Sequence, residues 1–277
     1  MYNIFVLTWK EIRDGYRNKW IAVMTLVMTG FALILAFLGS APVGSTHISP
    51  MAVTVVSLSS LGIFFIPLIA LLLSYDSIVG EEDRGTLILL LAYPISKPAI
   101  ALGKFLGQLS ILSFAIIVGY GSATMAIAMT GDIPFAEQAW PILLKLIISS
   151  ILLGGVFLSL GLLLSTMMRD RGTAAAGAIG LWLVFVVLFD MALLGFLSSG
   201  AADLIRDDTV KWIMLANPSD TYRMFNLSTN SETALLSGMA GLREDQGVPA
   251  PVLISLLCFW IIVPLAASCV LFQRRLL

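Results

Sequence analysis

Six stretches of this chain, roughly residues 20 to 40, 52 to 75, 101 to 130, 140 to 168, 173 to 198 and 251 to 273, are long, apolar and nearly free of charge. A helix needs about 20 such residues to cross a bilayer, whereas a barrel strand would alternate over about ten. The runs therefore predict an all-α integral membrane protein with six transmembrane helices, an even number that places both termini on one side. Composition agrees. Only 12% of the 277 residues are charged and the mean hydropathy is +0.97, against about 25% charged residues in a soluble domain. The first run exceeds the 7 to 15 residues of a signal-peptide core, so it is expected to stay in place as a span. The third and fourth runs exceed one crossing and must tilt or project.

Lysine and arginine are distributed unevenly. Lys10, Arg13, Arg17 and Lys19 precede the first span, Arg84, Lys97 and Lys104 follow the second, Arg169 and Arg171 follow the fourth, and Arg274 and Arg275 end the chain. The alternate loops 41 to 51 and 131 to 139 carry none. The basic residues of the long loop 199 to 250 count for less, so the positive-inside rule predicts cytoplasmic termini. A net charge of −1 gives no sign of a nucleic-acid partner. No repeat or low-complexity tract divides the chain, which reads as one domain, 1 to 277. Within 199 to 250, "AADLIRDDTVKWIMLANPSD" predicts a helix stopping before Pro218, and "SETALLSGMAGL" a second. A loop of that length and mixed charge is expected to dock a periplasmic accessory protein.

Residues 1 to 19 form an amphipathic leader. At 100° per residue Phe5, Trp9, Ile12 and Tyr16 share one sector, while Lys10, Arg13, Asp14 and Arg17 lie opposite. Such a helix lies in the bilayer interface, its apolar face in the headgroup boundary and its basic face toward anionic lipid.

The most informative stretch is "YDSIVGEEDRGTLILLLAYPISKPAIALGKFLG", residues 75 to 107. Thr86 to Tyr93 has no helix breaker and predicts about two turns that Pro94 ends. Ser96 and Pro98 suit the start of the next helix. The run "TLILLLAY" is too short to span and too apolar to be left in water. It must bury against the leader, the membrane surface or another protein.

These residues resemble the first cytoplasmic loop of the ABC-2 type permeases, the membrane subunits of one class of ATP-binding-cassette transporters. The features that match are Glu81, Glu82, Gly85, Thr86, the Leu-rich helix ending at Tyr93-Pro94-Ile95-Ser96, and Gly103-Lys104-Phe105; Lys10-Glu11 and Arg17-Asn18 match in the leader. The resemblance covers the whole chain. It implies a homodimer in the bacterial inner membrane, each copy docked on a cytoplasmic ABC ATPase that itself forms a homodimer and binds the ATP and Mg²⁺. It implies that the loop 76 to 98 couples to that ATPase through Glu81, Glu82, Arg84, Gly85, Thr86, Leu87, Leu90, Leu91, Tyr93 and Pro94. The loop 167 to 173, with Arg169, Asp170 and Arg171, would be a second contact. The leader, through Phe5, Trp9, Lys10, Glu11, Ile12, Arg13, Tyr16 and Arg17, would be a connecting helix bracing the first. The resemblance extends to permeases that serve nitrous oxide reductase maturation, implying export of a sulfur species for its periplasmic copper-sulfide cluster.

The chain itself carries no G-x-x-x-x-G-K-[ST] phosphate loop, so it reads as a non-catalytic subunit that binds no cofactor and takes energy from a partner or an ion gradient. Asp190, an acid inside a predicted span, either lines a pathway or pairs with polar neighbours. Cys258 and Cys269 read as buried small hydrophobes, about 16 Å apart along one helix. Met24, Met28, Met125 and Met129 read as apolar filler, and His47 lacks companion ligands, so no metal site is expected. Gly103 with Gly107, and Gly172 with Ala176 and Gly180, are small residues at four-residue spacing that permit close helix approach. Pro67 and Pro264 can kink their spans. An ion-driven carrier is the weaker reading, and a subunit that transmits motion without moving solute is a further alternative.

Overall fold

The computed structural model describes residues 2–38, 50–129, 139–198, 207–227 and 248–275. Every regular element among them is a helix: α1 Tyr2–Arg17, α2 Trp20–Leu38, α3 Pro50–Ser74, α4 Val79–Asp83, α5 Thr86–Leu91, α6 Lys97–Met129, α7 Ala139–Met167, α8 Arg171–Trp182, a π-helical segment Leu183–Leu188, α9 Phe189–Ser198, α10 Asp207–Leu215, α11 Pro218–Leu227 and α12 Ala250–Arg274. Five helical segments are long and apolar enough to cross a membrane: Thr54–Asp83, Lys97–Ala126, Pro141–Met167, Arg171–Phe196 and Ala250–Arg274. The pair α1 and α2, bent by 70°, brings the count to as many as six. His47 and the expected helix in "SETALLSGMAGL" lie outside the described residues.

The bundle is built on α6 and α7, which pack on each other. Helices α1 and α2 lie on α6, α3 and α12 on α7, and α8 on α3. Their shared core is filled by fully buried Ile66, Leu112, Leu146, Phe157 and Phe272. Met24 and Met28 are buried filler as expected, but Met125 and Met129 are exposed on α6. The turn between α1 and α2 places Lys19 in the left-handed region at φ 57°, which costs a residue with a Cβ about 1–2 kcal/mol.

Two features depart from the sequence reading. The fifth span is not one regular helix, since its middle widens into the π-helical segment. There the side-chain amide of Asn217 donates to the carbonyl of Phe185 at 2.8 Å, satisfying a backbone group of that distorted turn. The second departure is α11, which belongs to the expected long loop yet lies buried among α3, α7 and α12. Tyr222 reaches the Ser150 hydroxyl at 2.9 Å, and its own hydroxyl lies against the site where a Gly62 Cβ would stand. Of the residues 199–250, then, 218–227 is core and not loop, while α10 ends before Pro218 as expected.

The close approach of α1 and α6 depends on two glycines. A Cβ at Gly103 would stand 2.5 Å from the Leu7 Cβ, and one at Gly107 would collide with the Glu11 Cβ. The expected helix contact at this spacing is present here, whereas Gly180 of the second small-residue stripe faces open space. Gly121, on the same α6, also has nothing within 4 Å. Gly103→Ala and Gly107→Ala should each lower the detergent unfolding midpoint, by about 1–3 kcal/mol of overpacking, while Gly121→Ala should be neutral or stabilising by removing helix glycine.

Candidate functional site

At the end of the bundle where α6 begins and α12 ends, α1, α4, α5, the turn 168–170 and the last residues of α12 meet in one platform. Its centre is Lys104, buried on α6, whose ammonium donates to Glu81 Oε1 at 2.7 Å and to Glu11 Oε1 at 2.9 Å. Lys10 approaches the same Glu81 oxygen at 3.6 Å and Asp14 at 3.7 Å. Glu81 thus ties α4 to α6, and Glu11 ties α1 to the same cation. A buried charge is tolerable only when paired in this way.

The second tie is Asp76, between α3 and α4. Arg171 forms a bidentate pair with it, Nε to Oδ1 at 2.6 Å and Nη2 to Oδ2 at 2.5 Å, while Arg84 lies 3.4 Å away. The Arg171 backbone N–H donates to Asp83 Oδ2 at 3.3 Å, so the two loops expected to meet a partner are joined to each other. Gly80 makes room for Asp76, since a Cβ there would collide with the carboxylate. Deeper in, the Ser165 hydroxyl accepts from the N–H groups of Ile78 and Val79 at 2.9 and 3.1 Å, and Gln108 donates to Ser77 Oγ at 2.6 Å.

The third tie is Arg275. Its guanidinium donates to the carbonyls of Thr166 and Met168, both at 2.8 Å, and pairs with Glu82 at 2.6 Å. Lys97 donates to the Arg275 carbonyl at 2.8 Å. The carbonyls at the end of α7, which lack intrahelical partners, are thereby satisfied.

On this platform α5 is a two-faced helix. Leu87 is 1% exposed and packs inward with Leu90 and Leu91, whereas Ile88, Leu89 and Tyr93 are 69%, 67% and 67% exposed. Of the coupling residues that the resemblance implies on this helix and its end, Leu87, Leu90 and Leu91 lie on the inward face and Tyr93 and Pro94 are exposed. Gly85, at φ 69°, is the turn from α4 into α5, a conformation that glycine adopts without strain. Pro94 is exposed beyond the helix end, and the Thr86 hydroxyl donates to the Glu81 carbonyl at 3.2 Å.

The remaining sequence candidates separate. Asp170 is the N-cap of α8, and the Thr173 N–H and hydroxyl hold its carboxyl below the usual range. Arg169 is exposed beside it. On α1, Phe5, Trp9 and Tyr16 are exposed, Ile12 packs on the core, and Arg13 and Arg17 point outward. Asp190 is far from the platform and pairs with Arg223 at 2.7 Å; Arg223 also binds Asp220 at 2.9 Å. The intramembrane acid is thus partnered, as its polar-neighbour reading expected. Asp76, Ser165 and Arg275 were not singled out in the sequence. Little local marks them, because apart from Arg84 beside Asp76 their partners lie 86 or more residues away. Among the described residues no three His, Cys, Asp or Glu side chains form a metal-holding group.

Lys104→Met should strand the Glu11 and Glu81 carboxylates and cost about 3–5 kcal/mol, read as earlier thermal unfolding and faster proteolysis of α1. The triple change Lys104→Met, Glu11→Gln, Glu81→Gln should recover most of that loss. Equal instability of both variants would remove the ion cluster as the cause.

The family model for the ABC-2 family transporter protein matches residues 5–277. The chain is 39% identical, over 277 residues and the full length of both proteins, to the "Probable ABC transporter permease protein NosY" of Stutzerimonas stutzeri. It is 41% identical over 276 residues, 98% of each chain, to the protein of the same name from Pseudomonas aeruginosa. Helical architecture, membrane-spanning segments and a full-length match agree that this chain belongs to the ABC-2 transporter family.

Proposed function

We propose that this protein is the permease subunit of an ABC transporter, working as a homodimer with a separate cytoplasmic ATPase. The observation that carries the reading is the outward face of α5. Ile88, Leu89 and Tyr93 form an apolar patch on and just beyond α5, which follows α4 directly through Gly85, and α4 with its flanking residues is strapped to the spans by Lys104, Arg171 and Arg275. An exposed patch joined so closely to a braced segment suits a coupling element, because displacement of α5 pulls on α4 and, through the partners of Glu81, Ile78 and Val79, on α1, α6 and α7. Six spans, with α1 as an interfacial leader and α2 as the first span, bring both termini and this platform to the cytoplasmic side, in keeping with the positive-inside count.

The route for solute lies between two copies. Within one copy the helices α3, α6 and α7 close on fully buried Ile66, Leu112 and Phe157, whereas the fifth span is almost wholly unburied and keeps Gly180 open. A second copy against that span supplies the missing wall. ATP and Mg²⁺ belong to the partner. By likeness to the NosY proteins, the cargo is a sulfur species for the copper-sulfide cluster of nitrous oxide reductase in the periplasm, and residues of 199–250 outside α11 receive an accessory protein there. A second reading, transmission of motion to that protein without solute, is favoured by the pairing of Asp190 with Arg223, which engages the acid of the fifth span in the protein's own ion pairs. Labelled-sulfur flux in vesicles separates the two, since a pure transmitter hydrolyses ATP while moving no sulfur.

Ile88→Asp with Leu89→Asp should abolish copurification of a soluble ATPase while leaving the permease's own unfolding within about 0.5 kcal/mol of wild type, as exposed substitutions do. Leu87→Asp should instead unfold the platform. An ATPase that stays bound to the double variant would overturn the role of α5. Absence of any ATPase with wild type in mild detergent would overturn the permease reading.

A further inference from the structure

Beside the bend between α1 and α2 the structure holds a trough of about 1000 Å³ that plays no part in the platform. Its walls are Ala22, Leu26 and Leu33 of α2 and Phe114 of α6, and its mouth carries Arg17 and Lys19. From Ile21 to Leu33 the wall extends about 18 Å at 1.5 Å per residue, close to the roughly 15 Å depth of one hydrocarbon leaflet. The trough is thus apolar along one leaflet's depth and cationic at one end.

The charges at the mouth differ from the cations that build the platform. Lys10, Arg84, Lys104, Arg171 and Arg275 all have carboxylate partners. Arg17 and Lys19 make no ion pair among the described residues, and no carboxylate lines the trough. Lys19 moreover stands at the left-handed turn position, where glycine would be free of strain. A lysine held there at a backbone cost sets its ammonium at the level where α1 meets α2.

We propose that this trough binds an anionic phospholipid, its acyl chains along α2 and Phe114 and its phosphate between Arg17 and Lys19. Basic pockets beside spans take anionic headgroups in this way. A second copy of the chain is a poorer occupant. Two troughs facing each other across a two-fold axis would bring four cations together with no anion between them.

The test uses the full chain reconstituted in vesicles of phosphatidylcholine and phosphatidylglycerol at three to one, re-extracted gently and examined by native mass spectrometry. Wild type should retain phosphatidylglycerol in preference to phosphatidylcholine. Arg17→Gln with Lys19→Gly should lower that retention by about fivefold per removed cation, with thermal unfolding preserved because glycine relieves the strained turn. Gly30 lines the trough and has nothing within 4 Å of its Cβ position, so Gly30→Leu should fill it and expel both lipids. Equal retention of the two lipids by wild type would overturn the proposal, as would unchanged retention by the double variant. Crosslinking of Gly30→Cys between two copies, with the trough free of lipid, would assign it to a second copy and overturn the proposal equally.

Discussion

The burial of Lys104 between Glu11 and Glu81 is the constraint on which the platform depends. An ammonium removed from water must be matched by carboxylates in fixed positions, and here the two carboxylates come from α1, which packs along α6, and from α4, a short element with little hold of its own. Helix α4 has five residues, too few for independent stability. The cation therefore does more than neutralise charge. It sets where the leader and the loop helix stand on α6, and the glycines at 103 and 107 let α1 come near enough for Glu11 to reach it.

From that centre the ties spread to every element that could carry motion into the spans. Asp76 with Arg171 joins the two loops, Ser165 receives the N–H groups at the start of α4, and Arg275 closes the end of α7. Such a network behaves as one body, because moving any single member would leave a buried polar group or charge unsatisfied. The face of α5 that remains free is the only apolar surface of that short helix not used to hold it. One helix of six residues is thus divided into a side that packs and a side that stays free.

The opposite end is organised by another polar set. Asn217 satisfies a carbonyl of the π-helical segment, and Arg223 joins Asp190 to Asp220, so α11 is held to the fifth span by groups that would be costly in a bilayer if separated. Helix α11 reads poorly as a span, being short and polar, yet it is among the most deeply buried segments. Burial here follows from satisfied hydrogen bonds more than from apolar content.

Periodicity and apolar length were enough to give the helical membrane class, the amphipathic leader and the positions of five spans, because a bilayer demands about 20 apolar residues and internally satisfied backbone whatever the neighbours are. The resemblance carried by Glu81, Glu82, Gly85 and Thr86 also located the platform. Which side of α5 faces outward was not legible, since Leu87, Ile88, Leu89 and Leu90 are chemically near-equivalent and only the packing of α5 on its neighbours distinguishes them. Nor were Ser165 and Arg275, which acquire meaning from residues far along the chain. Local sequence determined what each segment can be in a membrane; tertiary structure alone decided which charges meet, because pairing depends on distance in space and a buried charge cannot wait for a partner that the fold does not supply.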